Sequence, residues 1–178
     1  MTGPVPYVHS RFERRAQDHY PTIDSRCVDA LLDTWPVFGE VVDCCAPQGS
    51  GIVDALNASG GFSGKAECAS TADAPFKANW IVTNPPYARG IVNEIAQVIV
   101  SRVASGNISG AAMLMRANWD LARGRADLFE PPWYAGQTRL RFRPFWTNER
   151  TAQPIHSFVW LLWSKWNGEP VIRYWPKK

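Results

Sequence analysis

The tetrapeptide Asn84-Pro85-Pro86-Tyr87 gathers the residue types that hold a planar amine. Asn84 offers a side-chain amide oxygen, and the Pro85 carbonyl has no neighbouring N–H, because Pro86 lacks one. Tyr87 adds an aromatic ring for stacking. An amine held by two acceptors is set up to attack an electrophile. The preceding run Trp80-Ile81-Val82-Thr83 is short and apolar, which predicts a buried strand. Two consecutive prolines cannot continue a ladder, so the chain leaves the sheet at this point. The motif is therefore expected at the carboxyl end of a strand, the edge where open α/β sheets bind ligands.

A second pattern lies 41 residues earlier. Glu40-Val41-Val42-Asp43-Cys44-Cys45-Ala46 is an apolar run ending near an acid. Pro47-Gln48-Gly49-Ser50-Gly51 follows as a glycine-bearing turn, and Ile52-Val53-Asp54-Ala55-Leu56 starts a helix. Strand, turn and helix in that order bring backbone close to a bound nucleotide. Further upstream, Asp18-His19-Tyr20-Pro21-Thr22 precedes a helix-like stretch from Ser25 to Trp35, with Thr22 or Asp24 as N-cap.

The order Tyr20-Pro21-Thr22, Asp43-x-x-Ala46-x-x-Gly49, Asn84-Pro85-Pro86-Tyr87 resembles class I S-adenosylmethionine-dependent amino-methyltransferases across roughly residues 18 to 175. It is most similar to the small phage- and prophage-type DNA adenine-N6 methyltransferase-like proteins, which lack a separate target-recognition domain. The resemblance implies S-adenosyl-L-methionine as cofactor. It places Tyr20, Pro21 and Thr22 over the methionine end, with Asp43, Ala46 and Gly49 in the turn. It also implies Glu67 on the ribose hydroxyls, Asp73 with Phe76 at the cofactor adenine, and Asn84 among the cofactor-binding residues. Catalysis is implied at Asn84, Pro85, Pro86 and Tyr87. The Asn84 oxygen and the Pro85 carbonyl would accept the two amine hydrogens, favour a pyramidal nitrogen and stabilise its developing charge, while Tyr87 stacks on the base. No metal is implied. Cys44 and Pro47 depart from the family pattern Asp-Pro-x-Ala-Gly-x-Gly, and Pro47 forbids positive φ where the family has its first glycine.

The implied fold is α/β and Rossmann-like, with a mostly parallel central sheet, an antiparallel C-terminal hairpin and helices on both faces. The remaining sequence fits that expectation. Gly64 to Cys68 is a short strand. Gly90 to Ser105 carries Ile91, Ile95, Val98, Ile99 and Val103 at helical spacing. Gly110 to Met115 reads as a buried strand, and Trp119 to Phe129 as a helix. Thr138 to Phe142 alternates like a strand. His156 to Trp163 is a further strand, turning at Asn167-Gly168 to pair with Val171 to Trp175.

A chain of 178 residues supports one full core. Residues 1–17 read as a flexible arm. Residues 18–178 read as a single methyltransferase domain, with a basic aromatic insertion around 117–155. No apolar stretch approaches a membrane span and no signal peptide is evident, so a cytoplasmic protein, bacterial or phage-encoded, is expected. Cys27, Cys44, Cys45 and Cys68 lack metal-ligand spacing and read as reduced and mostly buried, with adjacent Cys44 and Cys45 on opposite strand faces. His9, His19 and His156 are scattered; His19 is placed near the cofactor and His156 reads as structural. The charge is uneven, with 8 Lys/Arg against 11 Asp/Glu in residues 1–115 and 11 against 5 in residues 116–178. In that basic third Arg116, Trp119, Arg139, Arg141 and Arg143 are candidate nucleic-acid contacts, the three arginines of 139–143 sharing one strand face. DNA is the leading partner and adenine N6 the leading target. Methylation of RNA or of protein glutamine N5, or a non-catalytic nucleic-acid-binding homologue, stay open as alternatives, as does oligomeric state.

Overall fold

The structure, a computed structural model, describes residues 22, 24–46, 49–69, 77–87, 90–146, 156–165 and 168–176. In chain order its elements are α1 (Arg26–Leu32), β1 (Gly39–Asp43), α2 (Gly51–Ala58), β2 (Gly64–Cys68), β3 (Trp80–Thr83), α3 (Ile91–Ser105), β4 (Gly110–Arg116), α4 (Ala126–Phe129), β5 (Tyr134–Leu140), β6 (Phe158–Ser164) and β7 (Val171–Trp175).

The most apolar strands take the middle of the sheet. β3 is buried at all four positions and β6 at six of seven, as strands covered on both faces must be. The strand order is β2-β1-β3-β4-β6-β5-β7. β2, β1, β3 and β4 are parallel, β6 runs antiparallel between β4 and β5, and β7 pairs parallel with β5. From β1 the chain moves outward to β2, then returns to β3 on the other side of β1. That reversal opens a crevice between the carboxyl ends of β1 and β3.

Helices cover both faces. On one, Val28 and Leu31 of α1 and Ile52 and Leu56 of α2 pack against Val82, Leu114 and Trp160. On the other, Val92, Ala96, Ile99 and Val103 of α3 and Leu128 of α4 pack against Ile81, Met113, Leu161 and Trp163. The α3 positions recur every three or four residues, which makes one apolar stripe. The stripe ends at Gly106, whose left-handed φ of 81° closes the helix. Trp160 and Trp163 are fully buried, and their indole N–H groups donate to the carbonyls of Cys27 at 2.7 Å and Leu128 at 2.6 Å. Each such ring contributes at most about 4–6 kcal/mol of burial, and its satisfied N–H adds no desolvation cost.

The mostly parallel sheet, its antiparallel C-terminal strand and its two helical layers match the fold class expected from the sequence. Four local expectations are corrected. β7 pairs with β5 and not with β6, because β4 and β5 already occupy both edges of β6. The strand expected at Thr138 to Phe142 runs instead over Tyr134–Leu140, with a register shift between Tyr134 and Gly136 that hides its alternation. Trp119 to Phe129 is not one helix but two 3₁₀ turns, Trp119–Leu121 and Arg123–Arg125, leading into the four residues of α4; Gly124 weakens helix propensity there. Cys44 and Cys45 do not lie on opposite strand faces. β1 ends at Asp43, and the turn beyond it brings the two Sγ atoms to 3.8 Å. All four cysteines are free, and Cys68 is exposed. The N-terminal arm and residues 147–155 lie outside the described residues. Among the described residues no helix is long and apolar enough to cross a membrane.

Candidate active site

Asp43 ends β1 with its side chain only 3% exposed. A buried carboxylate must be matched by donors, and among the described residues these include three. The Ser50 hydroxyl donates to Oδ2 at 2.6 Å, the Thr83 hydroxyl to Oδ1 at 2.6 Å, and the Cys45 N–H to Oδ1 at 3.1 Å. Ser50 is also the N-cap of α2, accepting from the Ile52 and Val53 N–H groups. One carboxylate therefore ties together the end of β1, the start of α2 and the last residue of β3. Neither Ser50 nor Thr83 stands out in the sequence pattern. Ser50 carries a readable signal as a serine just before a helix start, whereas the Thr83 contact spans 40 residues and exists only in the fold.

The turn held this way contains Ala46, which is buried, and Gly49. Gly49 has φ +114°, and a Cβ there would meet nothing within 4 Å among the described residues. The positive φ requires glycine, and the space beside it is room for a ligand to approach backbone.

Across the crevice, Asn84 follows β3 and is 4% exposed. The Tyr87 hydroxyl donates to Asn84 Oδ1 at 2.5 Å and stands 2.9 Å from the Leu114 carbonyl. The tyrosine thereby fixes the orientation of the amide, whose oxygen carries two lone pairs. Pro85 is buried and Pro86 half-buried. The Tyr87 ring packs 6.0 Å from Phe158, and the Arg116 guanidinium sits 5.7 Å above its centre.

The remaining candidates divide. Thr22 is buried, and its Oγ1 has no hydrogen-bond partner among the described residues. Glu67 lies near the carboxyl end of β2 in register with Val42, exposed and ion-paired with Lys65. Tyr20, Pro21, Pro47, Asp73 and Phe76 lie outside the described residues. Trp119 is a core residue, not an exposed ring. It is 8% exposed, stacks edge-on to Phe129 at 5.9 Å and carries Arg125 over its face at 4.3 Å. Arg139, Arg141 and Arg143 do not share a strand face, because β5 ends at Leu140. Arg139 flanks Tyr134, whose hydroxyl pKa is pushed up to about 12, first by burial and then by Asp120. Arg141 packs over Tyr174 at 5.0 Å and donates to the Pro176 carbonyl at 3.3 Å. Arg143 lies near His156, whose pKa is held below the usual histidine range, first by burial and then by Arg116 and Arg143. Among the described residues no group of three or more His, Cys, Asp or Glu side chains is placed to hold a metal ion.

No family description and no curated protein matches this sequence. Two solved structures share its general arrangement. One is a candidate class I S-adenosylmethionine-dependent methyltransferase of Listeria monocytogenes, 7% identical, with a TM-score of 0.47 over 84% of this chain and 61% of its own. This chain thus spans under two thirds of that protein's length. The other is a human methyltransferase 10 domain containing protein, 12% identical, with a TM-score of 0.43 over 80% of this chain and 79% of its own. At these values the likeness carries no argument about the chemistry of this chain, which rests on the geometry of its own crevice.

Proposed function

We propose that this protein is an S-adenosylmethionine-dependent amino-methyltransferase acting on adenine N6 in DNA. The observation that supports it best is the pairing of two carboxyl ends across the crevice. The Asp43-clamped turn with Gly49 lies on one side, and the buried Asn84 amide, fixed by Tyr87, lies on the other. The room beside Gly49 and the Thr22 hydroxyl, which has no partner among the described residues, fit a bound nucleoside-like cofactor. When bound, that cofactor supplies an electrophilic methyl group on a sulfonium.

The chain's own residues do the rest by position. An adenine amino nitrogen is a poor nucleophile, because its lone pair is delocalised into the ring. Asn84 Oδ1 and the Pro85 carbonyl accept its two hydrogens, favour a pyramidal nitrogen and stabilise the positive charge that develops there. Tyr87 restrains the amide before substrate arrives, so no reorganisation is needed at the moment of reaction. The Asp43 clamp keeps the ends of β1 and β3 at a set separation, which fixes the line between cofactor and amine.

The test is methyl transfer from labelled S-adenosylmethionine to an adenine-containing DNA oligonucleotide, read by nucleoside mass spectrometry, with S-adenosylhomocysteine titration as a separate binding measurement. N6-methyladenine that depends on Asn84 is the expected result. Label found instead in a glutamine-containing peptide, or no cofactor binding at all, overturns the proposal.

A further inference from the structure

Cys44 and Cys45 follow Asp43, the last residue of β1. On a continuing strand two neighbours point to opposite faces. Because β1 stops at Asp43, the turn beyond it brings their Sγ atoms to 3.8 Å. Cys44 is 1% exposed and part of the core, whereas Cys45 is half-exposed. The pair thus offers one sulfur to a dissolved oxidant and keeps a second, shielded sulfur beside it.

The peptide that joins the two residues belongs to the Asp43 clamp. Its N–H, that of Cys45, donates to Asp43 Oδ1 at 3.1 Å. The same carboxylate accepts from Ser50, the N-cap of α2, and from Thr83 at the end of β3. A bond between the two sulfurs closes a ring that contains this peptide. Neighbouring Cα atoms are about 3.8 Å apart, closer than those a relaxed disulfide joins. Ring closure therefore twists the peptide and turns its N–H away from the carboxylate. The strain also makes the bond easy to reduce. A ring with no residue between its halves constrains almost nothing in the unfolded chain, so this crosslink destabilises the fold.

We propose that Cys44 and Cys45 are a modification site, a dithiol that hydrogen peroxide closes to a disulfide between neighbours, releasing the clamp on the turn between β1 and α2. The Cys45 sulfur attacks one peroxide oxygen. An S–O bond forms, the O–O bond breaks and the other oxygen leaves as water, so the sulfur is oxidised to a sulfenic acid and the peroxide is reduced. The Cys44 sulfur then attacks the sulfenic sulfur. The S–S bond forms, the S–O bond breaks, and the hydroxyl leaves as water with the Cys44 proton. The order follows from exposure and from the Cys44 thiol, whose pKa is pushed up by the Cys45 thiol and then by burial. Dithiothreitol reverses the reaction by thiol exchange. The dithiol chemistry needs no cofactor; its effect on S-adenosylmethionine binding rests on the reading of the crevice as a methyltransferase site.

The experiment uses the full chain carrying Cys68→Ser, because Cys68 is exposed at the end of β2, in register with Asp43, and would otherwise compete. The chain is treated with hydrogen peroxide, alkylated, digested and read by mass spectrometry. The peptide holding Cys44 and Cys45 is expected to lose two hydrogens, to take no alkyl label, and to take two after dithiothreitol. The oxidised chain is expected to melt about 5 °C lower and to recover on reduction. In the same background Cys45→Ser should leave Cys44 a free thiol and the melting temperature insensitive to peroxide. Cys44→Ala should stop Cys45 at the sulfenic acid, trapped by dimedone. A Cys45 that is oxidised past the sulfenic acid while Cys44 keeps its thiol overturns the site. A disulfide that leaves the melting temperature unmoved overturns the release of the clamp. Titration with S-adenosylhomocysteine separates the two readings. Binding about tenfold weaker after oxidation supports both, whereas a reduced chain that binds no cofactor but forms the disulfide and melts lower keeps the dithiol and overturns only the methyltransferase.

Discussion

On one side of Asn84 the carboxyl edge of the sheet holds Asp43, a buried carboxylate with donors from three separate segments. On the other side, Arg116 stands over the Tyr87 ring at 5.7 Å, and burial followed by Arg116 and Arg143 holds the His156 pKa below the usual histidine range. The distribution of unmet hydrogen bonds follows the same divide. Of the eight buried polar side-chain atoms without a partner among the described residues, six belong to residues between Arg116 and Arg139. A satisfied polar network rigidifies the elements it joins, whereas a buried polar atom without a partner costs stability. The end of β1 is thus held in one shape by hydrogen bonds that join three segments.

The largest expected effect breaks the first half. Asp43→Ala strands the Ser50 and Thr83 hydroxyls and the Cys45 N–H, all directed at the carboxylate. It should lower unfolding free energy by about 3 kcal/mol or more, with loss of S-adenosylhomocysteine binding. Urea denaturation and calorimetry measure the two, and a wild-type urea midpoint would show that the clamp is not structural. Asn84→Ala separates chemistry from shape. Methyl transfer should fall a hundredfold or more, about 3 kcal/mol of transition-state stabilisation, while cofactor affinity changes little. Retained activity in that variant would sink the two-acceptor mechanism.

Gly136→Ala probes the second half. Gly136 has φ +128°, and a Cβ there would meet the Val171 backbone carbonyl. The substitution should cost about 1–3 kcal/mol and loosen β7, seen as faster proteolysis or amide exchange at Val171–Trp175. Equal protection in the variant would mean that β7 is held by something other than its close approach to β5. The smallest effect is chemical. Burial raises the Cys27 thiol pKa, and the Cys45 thiol followed by burial raises that of Cys44, while Cys68 is exposed and Cys45 half-exposed. A thiol reagent at neutral pH should therefore label Cys68 and Cys45 first, and Cys27 and Cys44 only on unfolding. Early labelling of Cys44 would show that the Asp43 turn opens readily.

Local chemistry made much of this molecule legible in its residues. Consecutive prolines end β3 at Asn84 whatever surrounds them, because a proline has no N–H for the ladder. The apolar runs marked β1, β3, β4 and β6, and the apolar stripe marked α3, because burial of those side chains drives their formation. Where alternation was broken, at the irregular pairing of Tyr134 and Gly136, the start of β5 could not be read. The pairing of β7 was equally hidden. Its partner depends on which edges other strands have already filled, and that is a property of the sheet, not of Val171–Trp175. The Asp43 clamp and the approach of Arg116 to Tyr87 and to the start of β6 belong to the same class. The members of the clamp lie up to 40 residues apart, and only the ordering of strands at the carboxyl edge makes such contacts. The sequence by itself determined which residues could accept an amine and where the chain must leave the sheet. Tertiary structure alone decided which cations stand beside that acceptor, because charge has no periodicity to announce it and acts through space rather than along the chain.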